Sequence, residues 1–128
     1  LNSINDIERV GDHIDNIGEL ALDKIENKAV FSEEAIKELR DMFDVTLEAY
    51  KQSLNALASI GLEECNIVRK YEEDIDNMYK TLRKNHIDRL NNLICEPNSG
   101  IVFLDVISNL ERIGDHSLNI AESILEVI

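Results

Sequence analysis

Apolar residues recur at three- and four-residue intervals along nearly the whole chain, and that period predicts helices. With each residue turning about 100° around a helix axis, Ile7, Val10, Ile14, Ile17, Ala21 and Ile25 fall in one arc, giving a first helix over about 1–27. Glu8, Asp12, Asp15 and Glu19 line the edge of that arc, and Arg9, His13 and Asn16 point further out. Ser32 is placed to cap a second helix over 33–59, with Glu33 and Glu34 at its positive end. Ile36, Leu39, Phe43, Leu47, Tyr50, Leu54 and Leu57 form its expected seam, and Gly61 is expected to end it. A third helix, 62–93, carries Val68, Tyr71, Ile75, Met78 and Leu82, with Glu72 and Asp76 along the edge. His86 also lies near that edge and reads as an ordinary packed or solvent-facing histidine. Residues 92–100, with Pro97, read as a turn. A fourth helix, 100–128, carries Phe103, Val106, Ile107, Leu110, Ile113, Ile120 and Ile124, edged by Glu111, Asp115 and Glu122.

No period-two alternation competes with this pattern. Four long helices joined by short turns predict an all-α, antiparallel up-down bundle occupying 1–128 as one domain. Low proline and glycine content suits long helices.

Charge narrows the partners. Asp and Glu number 26 against 13 Lys and Arg, for a net charge of −13. Such a field repels phosphate backbones, which excludes nucleic acid as a partner, and attracts cations or basic surfaces. Cys65 and Cys95 lack metal-ligand spacing and read as reduced thiols. No run of 18 apolar residues spans a membrane. The chain starts at Leu1, almost inside its first motif, which predicts a piece of a longer polypeptide whose remainder could hold membrane spans.

The candidate chemistry lies in a stretch that occurs twice. Ile7-Glu8-Arg9-Val10-Gly11-Asp12-His13, continuing to Asn16-Ile17 and Glu19, returns 103 residues later as Leu110-Glu111-Arg112-Ile113-Gly114-Asp115-His116, continuing to Asn119-Ile120 and Glu122. Simple packing would repeat the apolar positions and let the charged ones drift, yet here the charged ones match. Three helices carry Glu-x-x-x-Asp: Glu8 with Asp12, Glu72 with Asp76, Glu111 with Asp115. Acids one turn apart repel by a few tenths of a kcal/mol, and a mid-helix glycine such as Gly11 or Gly114 costs about 1 kcal/mol. A cation held between carboxylates of adjacent helices would offset these costs, with the glycines admitting the neighbouring helix. Oxygen ligands suit Mg, Ca, Mn and ferric iron, and a nearby histidine widens the range to Zn or Ni. The plainer alternative has the acids in surface ion pairs with Arg9, Arg69, Arg83 or Arg112, each worth under about 1 kcal/mol.

The second copy, from Asn109 to Glu122, resembles the signature helix of the PhoU family of phosphate-transport regulators, and Ser3 to His13 resembles the first copy. The resemblance covers essentially the whole chain. It implies two three-helix repeats, of which this chain would hold the last helix of the first and all of the second. The stretch Asn85-His86-Ile87-Asp88-Arg89-Leu90 looks most like the cytosolic PhoU-like tail of sodium/phosphate cotransporters. That implies a cytoplasmic domain tethered to the inner face of the membrane, partnered by the transporter portion of its own polypeptide or another phosphate-transport component. It implies a metal ion or cluster, iron foremost, with Zn, Ni, Mn and Mg left open. Glu72, Asp76, Glu111 and Asp115 would hold one cluster, Glu8 and Asp12 half of another, with Asp15, Glu19 and Glu122 as weaker candidates.

The expected function is therefore a non-catalytic regulatory domain. A metal-free helical interaction module is the alternative. A ferritin-like di-metal enzyme fits poorly, because the residues three before His13, His86 and His116 are Val10, Arg83 and Ile113, not glutamates. With two neighbours absent, the first helix is expected to bury its apolar face against the other three or in a homodimer.

Overall fold

The computed structural model describes residues 2–128. Four helices follow in order: α1 (Asn2–Glu26), α2 (Glu33–Ser59), α3 (Leu62–Asn91) and α4 (Pro97–Glu122), the last running into a short 3-10 turn at Ser123–Glu126. The described residues contain no strand. The helical bundle expected from the periodicity is the architecture found.

The helix ends follow local chemistry. Ser32 Oγ accepts the backbone N–H of Ala35 at 3.1 Å and opens α2. At the α2–α3 joint the left-handed residue is Ile60 (φ 51°), not Gly61, whose φ is −92°. A β-branched residue is unusual in that conformation. Here it lets the N–H groups of both Ile60 and Gly61 reach the carbonyl of Ala56. Pro97 does not belong to a turn but starts α4, because a proline at the first helical position loses no hydrogen bond the helix would have made. The fourth helix thus begins three residues earlier than expected and the third ends two earlier, at Asn91.

α4 is the central rod, packed against α1, α2 and α3. Its Phe103, Ile107, Leu110, Ile113 and Ile120 are buried, as is Ile124 in the turn that follows, as the periodicity requires. They meet Met42, Ala49, Ile75 and Leu82 in the main core, and Cys65 and Val68 in a second cluster toward the chain's end. Both cysteines are free thiols.

α2 departs from its expected seam. The stripe it buries is Ala35, Met42, Thr46, Ala49, Ser53 and Ala56. Small residues lie against α3 and α4, so the helices approach closely, and the bulkier Ile36, Phe43, Leu47 and Leu54 stay over one-third exposed. α1 likewise rests mainly on α4 through Val10, Ile7 and Ile17, while Ile14 and Ile25 remain 53% and 71% exposed. Between α1 and α2, above α4, runs an apolar cleft of about 360 Å³ lined by Ile17, Leu20, Phe43 and Val106. The expectation that α1 buries its apolar arc against the other three helices holds only along α4. Periodicity identifies an apolar face; it does not say that a neighbour covers it.

Candidate metal centre

α3 and α4 bring their acids together. One turn of α3 separates Glu72 from Asp76, and one turn of α4 separates Glu111 from Asp115. The helices meet at Gly114, which is buried and faces Ile75. A Cβ on Gly114 would lie 3.1 Å from Ile75 Cδ1 and 3.2 Å from its Cγ2. The glycine therefore serves the close approach expected of it. Gly11, its duplicate, meets nothing within 4 Å and serves no such purpose.

Ligand-capable oxygens of Glu72, Asp76 and Asp115 all lie within 4.8 Å of one another. Glu72 and Asp76 are half-buried and Asp115 is exposed, so the cluster opens to solvent on one side. Among the described residues none of these acids, nor Glu111, is in an ion pair with Lys or Arg. The crowding shows in their proton affinities. Partial burial, then the hydrogen bond and negative charge of Asp76, then Asp115, push Glu72 up to about 8. Glu111 is raised as well, first by burial and then by the charges of Asp115 and Asp76, with Arg112 opposing. At neutral pH Glu72 keeps its proton, which a bound cation would displace.

The donor set fits a hard, oxygen-seeking ion. No histidine joins it: His116, next in sequence to Asp115, turns instead toward Asp6 on α1 (Nδ1 to Oδ1, 2.9 Å). That favours Mg, Mn, Ca or iron over the nickel or zinc that an imidazole would have admitted.

The remaining candidates do not enter this cluster. Glu8, Asp12, Asp15 and Glu19 are exposed on α1 and belong to no such group. Glu122 is paired with Arg69 at 3.0 Å, among the described residues the one ion pair of those expected of the surface arginines.

The duplicated stretch has a second role that the spacing alone did not reveal. His13 does not point away from the bundle. It is half-buried, and its Nδ1 donates to Asn109 Oδ1 on α4 at 2.9 Å, with Asn16 donating to the same oxygen at 3.3 Å. His116 and Asn119 converge in the same way on Asp6 Oδ1, at 2.9 and 3.3 Å. Asp6 and Asn109 are themselves 103 residues apart, so α1 and α4 cross as a near-symmetric antiparallel pair. The signal was present in the polar positions of the repeat.

A third polar group lies inside the other end of the bundle. His86 is fully buried and stacked on Phe103, ring centroids 3.9 Å apart. Its Nδ1 accepts from Arg89 Nε at 3.0 Å, so its Nε2 carries the proton and faces Cys95 Sγ at 3.5 Å. Burial, then the Arg89 charge, lower His86 to about 4 and keep it neutral. Arg89, also buried, reaches Glu34 (3.0 Å) and Glu38. His86 is thus a packed histidine.

Comparison with known proteins places this geometry. The PhoU domain model matches residues 39–124. The chain belongs to the PhoU family. The PhoU homolog 1 of Thermotoga maritima, a phosphate-specific transport system accessory protein, is 32% identical over 127 residues, covering 99% of this chain and 54% of its own length. The homolog of Clostridium acetobutylicum is 30% identical over 129 residues, 98% of this chain and 56% of the relative. The chain thus spans about half the length of the curated PhoU relatives it matches. A crystal structure of the phosphate transport system regulatory protein PhoU from Streptococcus pneumoniae superposes with a TM-score of 0.85 at 28% identity, over 98% of this chain and 58% of that one. These relatives are named as accessory or regulatory proteins, which agrees with the expectation of a non-catalytic domain. They are named as PhoU proteins, not as tails of sodium/phosphate cotransporters. No helix among the described residues is long and apolar enough to cross a membrane.

Proposed function

We propose that this chain is a non-catalytic regulatory domain of a phosphate-transport system, and that it binds a hard metal ion between α3 and α4. The carrying observation is the convergence of Glu72, Asp76 and Asp115 without a countercharge. Glu111 stands beside them as a further oxygen donor. A cation there would draw together the two helices that Gly114 already allows to touch. Iron is the metal that the family resemblance implies; manganese and magnesium suit the same oxygen donors. Glu8 and Asp12 form half of an equivalent site on α1 and would need acids from outside this chain to complete it.

The partner would be a component of the phosphate-transport machinery, at the cytoplasmic face of the membrane. The narrower reading, a domain of a sodium/phosphate cotransporter joined to its own membrane portion, rests on the wording from Asn85 to Leu90. In the fold that stretch holds buried His86 and Arg89, so packing accounts for part of its wording.

Elemental analysis of purified protein, with Mn²⁺ and Fe²⁺ titrations, tests the site. The Glu72→Gln/Asp115→Asn variant is expected to lose the metal while staying helical. Equal metal content in the two proteins would refute the site, and thermal stability indifferent to chelator would favour a metal-free interaction module.

A further inference from the structure

We propose a second, separate cation site where the two copies of the repeated stretch cross, formed by the Nε2 atoms of His13 and His116 and suited to a borderline divalent ion such as Ni²⁺, Zn²⁺ or Cu²⁺. The proposal stands independently of the acidic cluster and of the regulatory reading.

The imidazoles come from α1 and α4, and their ring centroids lie 5.6 Å apart with planes inclined by 24°. Metal–imidazole bonds are about 2.1 Å, so two rings sharing one ion have centroids on the order of 5–6 Å apart. The pair stands at that separation with its rings stacked near-parallel, so binding turns the rings until both in-plane Nε2 lone pairs meet the ion.

The proton positions follow from the partners. The Asp6 carboxylate can only accept, so His116 Nδ1 carries the hydrogen in their 2.9 Å contact. The amide nitrogen of Asn109 donates to the Asp105 carbonyl at 2.8 Å, which leaves its Oδ1 facing His13 as an acceptor. His13 therefore also holds its hydrogen on Nδ1. In the neutral rings both Nε2 atoms carry lone pairs, and neither has a hydrogen-bond partner among the described residues. A ring N–H donated to a carboxylate or carbonyl oxygen, with the opposite nitrogen free, is the usual arrangement of a metal-ligating histidine.

Both histidines are half-buried, which restrains the rings while leaving them reachable. The net charge of −13 raises the local concentration of any cation. Among the described residues no third His, Cys, Asp or Glu completes the set, so water would fill the remaining positions. The ion would span α1 and α4, and α1 has little other attachment. Metal occupancy would therefore act on how firmly the first helix is held.

The test is a calorimetric Ni²⁺ titration of the wild-type chain, of His13→Gln and His116→Gln singly, and of Glu72→Gln/Asp115→Asn. Helical content is checked for each by circular dichroism. One Ni²⁺ per chain is expected, weakened at least tenfold by either histidine variant and retained by the acidic-cluster variant. Cu²⁺ electron paramagnetic resonance on the wild type should show coupling to two imidazole nitrogens. Absence of that coupling overturns the site even if a histidine variant misfolds. Binding that survives the loss of either histidine, or that disappears with the acids instead, overturns it too. Conversely, loss of Mn²⁺ binding with Ni²⁺ binding intact would identify the acidic cluster as a site of its own.

Discussion

The Cα of Gly114 faces Ile75 so closely that a methyl group added there would sit 3.1 Å from the isoleucine's Cδ1. This contact sets the spacing of the two helices that carry the acids. Gly114→Ala should gain about 1 kcal/mol of helix propensity and lose about 1–3 kcal/mol to overpacking, for a neutral to destabilising net effect. It should also weaken Mn²⁺ binding by widening the gap between the carboxylates. Gly11→Ala, with nothing within 4 Å, should stabilise the chain by about 0.5–1 kcal/mol. Urea denaturation of both variants separates the two cases. Equal effects would mean that Gly114 has no special role.

Glu72 holds its proton up to about pH 8 in the fold, but only to about 4.5 when unfolded. Between those values the folded state binds the extra proton, so this group's contribution to stability declines as pH rises through the window. Glu111, raised too, acts in the same direction. The urea midpoint of the metal-free protein should therefore fall between pH 5 and 8 more steeply than that of Glu72→Gln. Saturating Mn²⁺ should reduce the fall, because the bound ion favours the ionised carboxylate. A slope unchanged by Glu72→Gln would refute the assignment.

Arg89 is the buried tie between α3 and α2. Removing it as Arg89→Ala leaves the largely buried Glu38 without its cation and His86 without its donor. A loss of about 3–5 kcal/mol is expected, read as a lowered urea midpoint. Lys37→Ala, which removes an exposed ion pair with Asp41 one turn away, should change stability by less than about 0.5 kcal/mol.

The cleft between α1 and α2 leaves Ile14, Phe43 and Leu47 each about half exposed. Ile36 and Leu54 on α2 are also over one-third exposed, so the two helices present apolar surface of the kind that marks a protein interface. Two copies of the chain are expected to pair across it. Light scattering should give a dimer for the wild type and a monomer for Leu47→Glu, whose helix content should be unchanged. A wild-type monomer at high concentration would refute the pairing.

The bundle could be read from the spacing of Ile, Leu and Val, because that spacing is what a buried helix face requires. The acidic cluster could be read from the Glu-x-x-x-Asp spacing that α3 and α4 share, at Glu72 and Asp76 and at Glu111 and Asp115, although the same spacing at Glu8 and Asp12 gathers no cluster. Two things escaped. Turning the seam of α2 from Phe43 and Leu47 to Ala49 and Ala56 depends on how near α3 and α4 come, which is a tertiary quantity. A helical wheel points His13 outward because it knows only its own helix, whereas the partner of His13, Asn109, arrives from 96 residues away. The left-handed turn at Ile60 went unforeseen because the adjacent glycine was the better candidate by intrinsic preference.

Because α1 is fastened along one side only, it should detach before the rest melts. Its backbone amides should exchange with deuterium sooner than those of α2, α3 and α4, through an opening that leaves the three-helix remainder intact. In this protein the first copy of the motif would then behave as a hinged flap whose closure can be biased from outside, while the second copy stays locked in place.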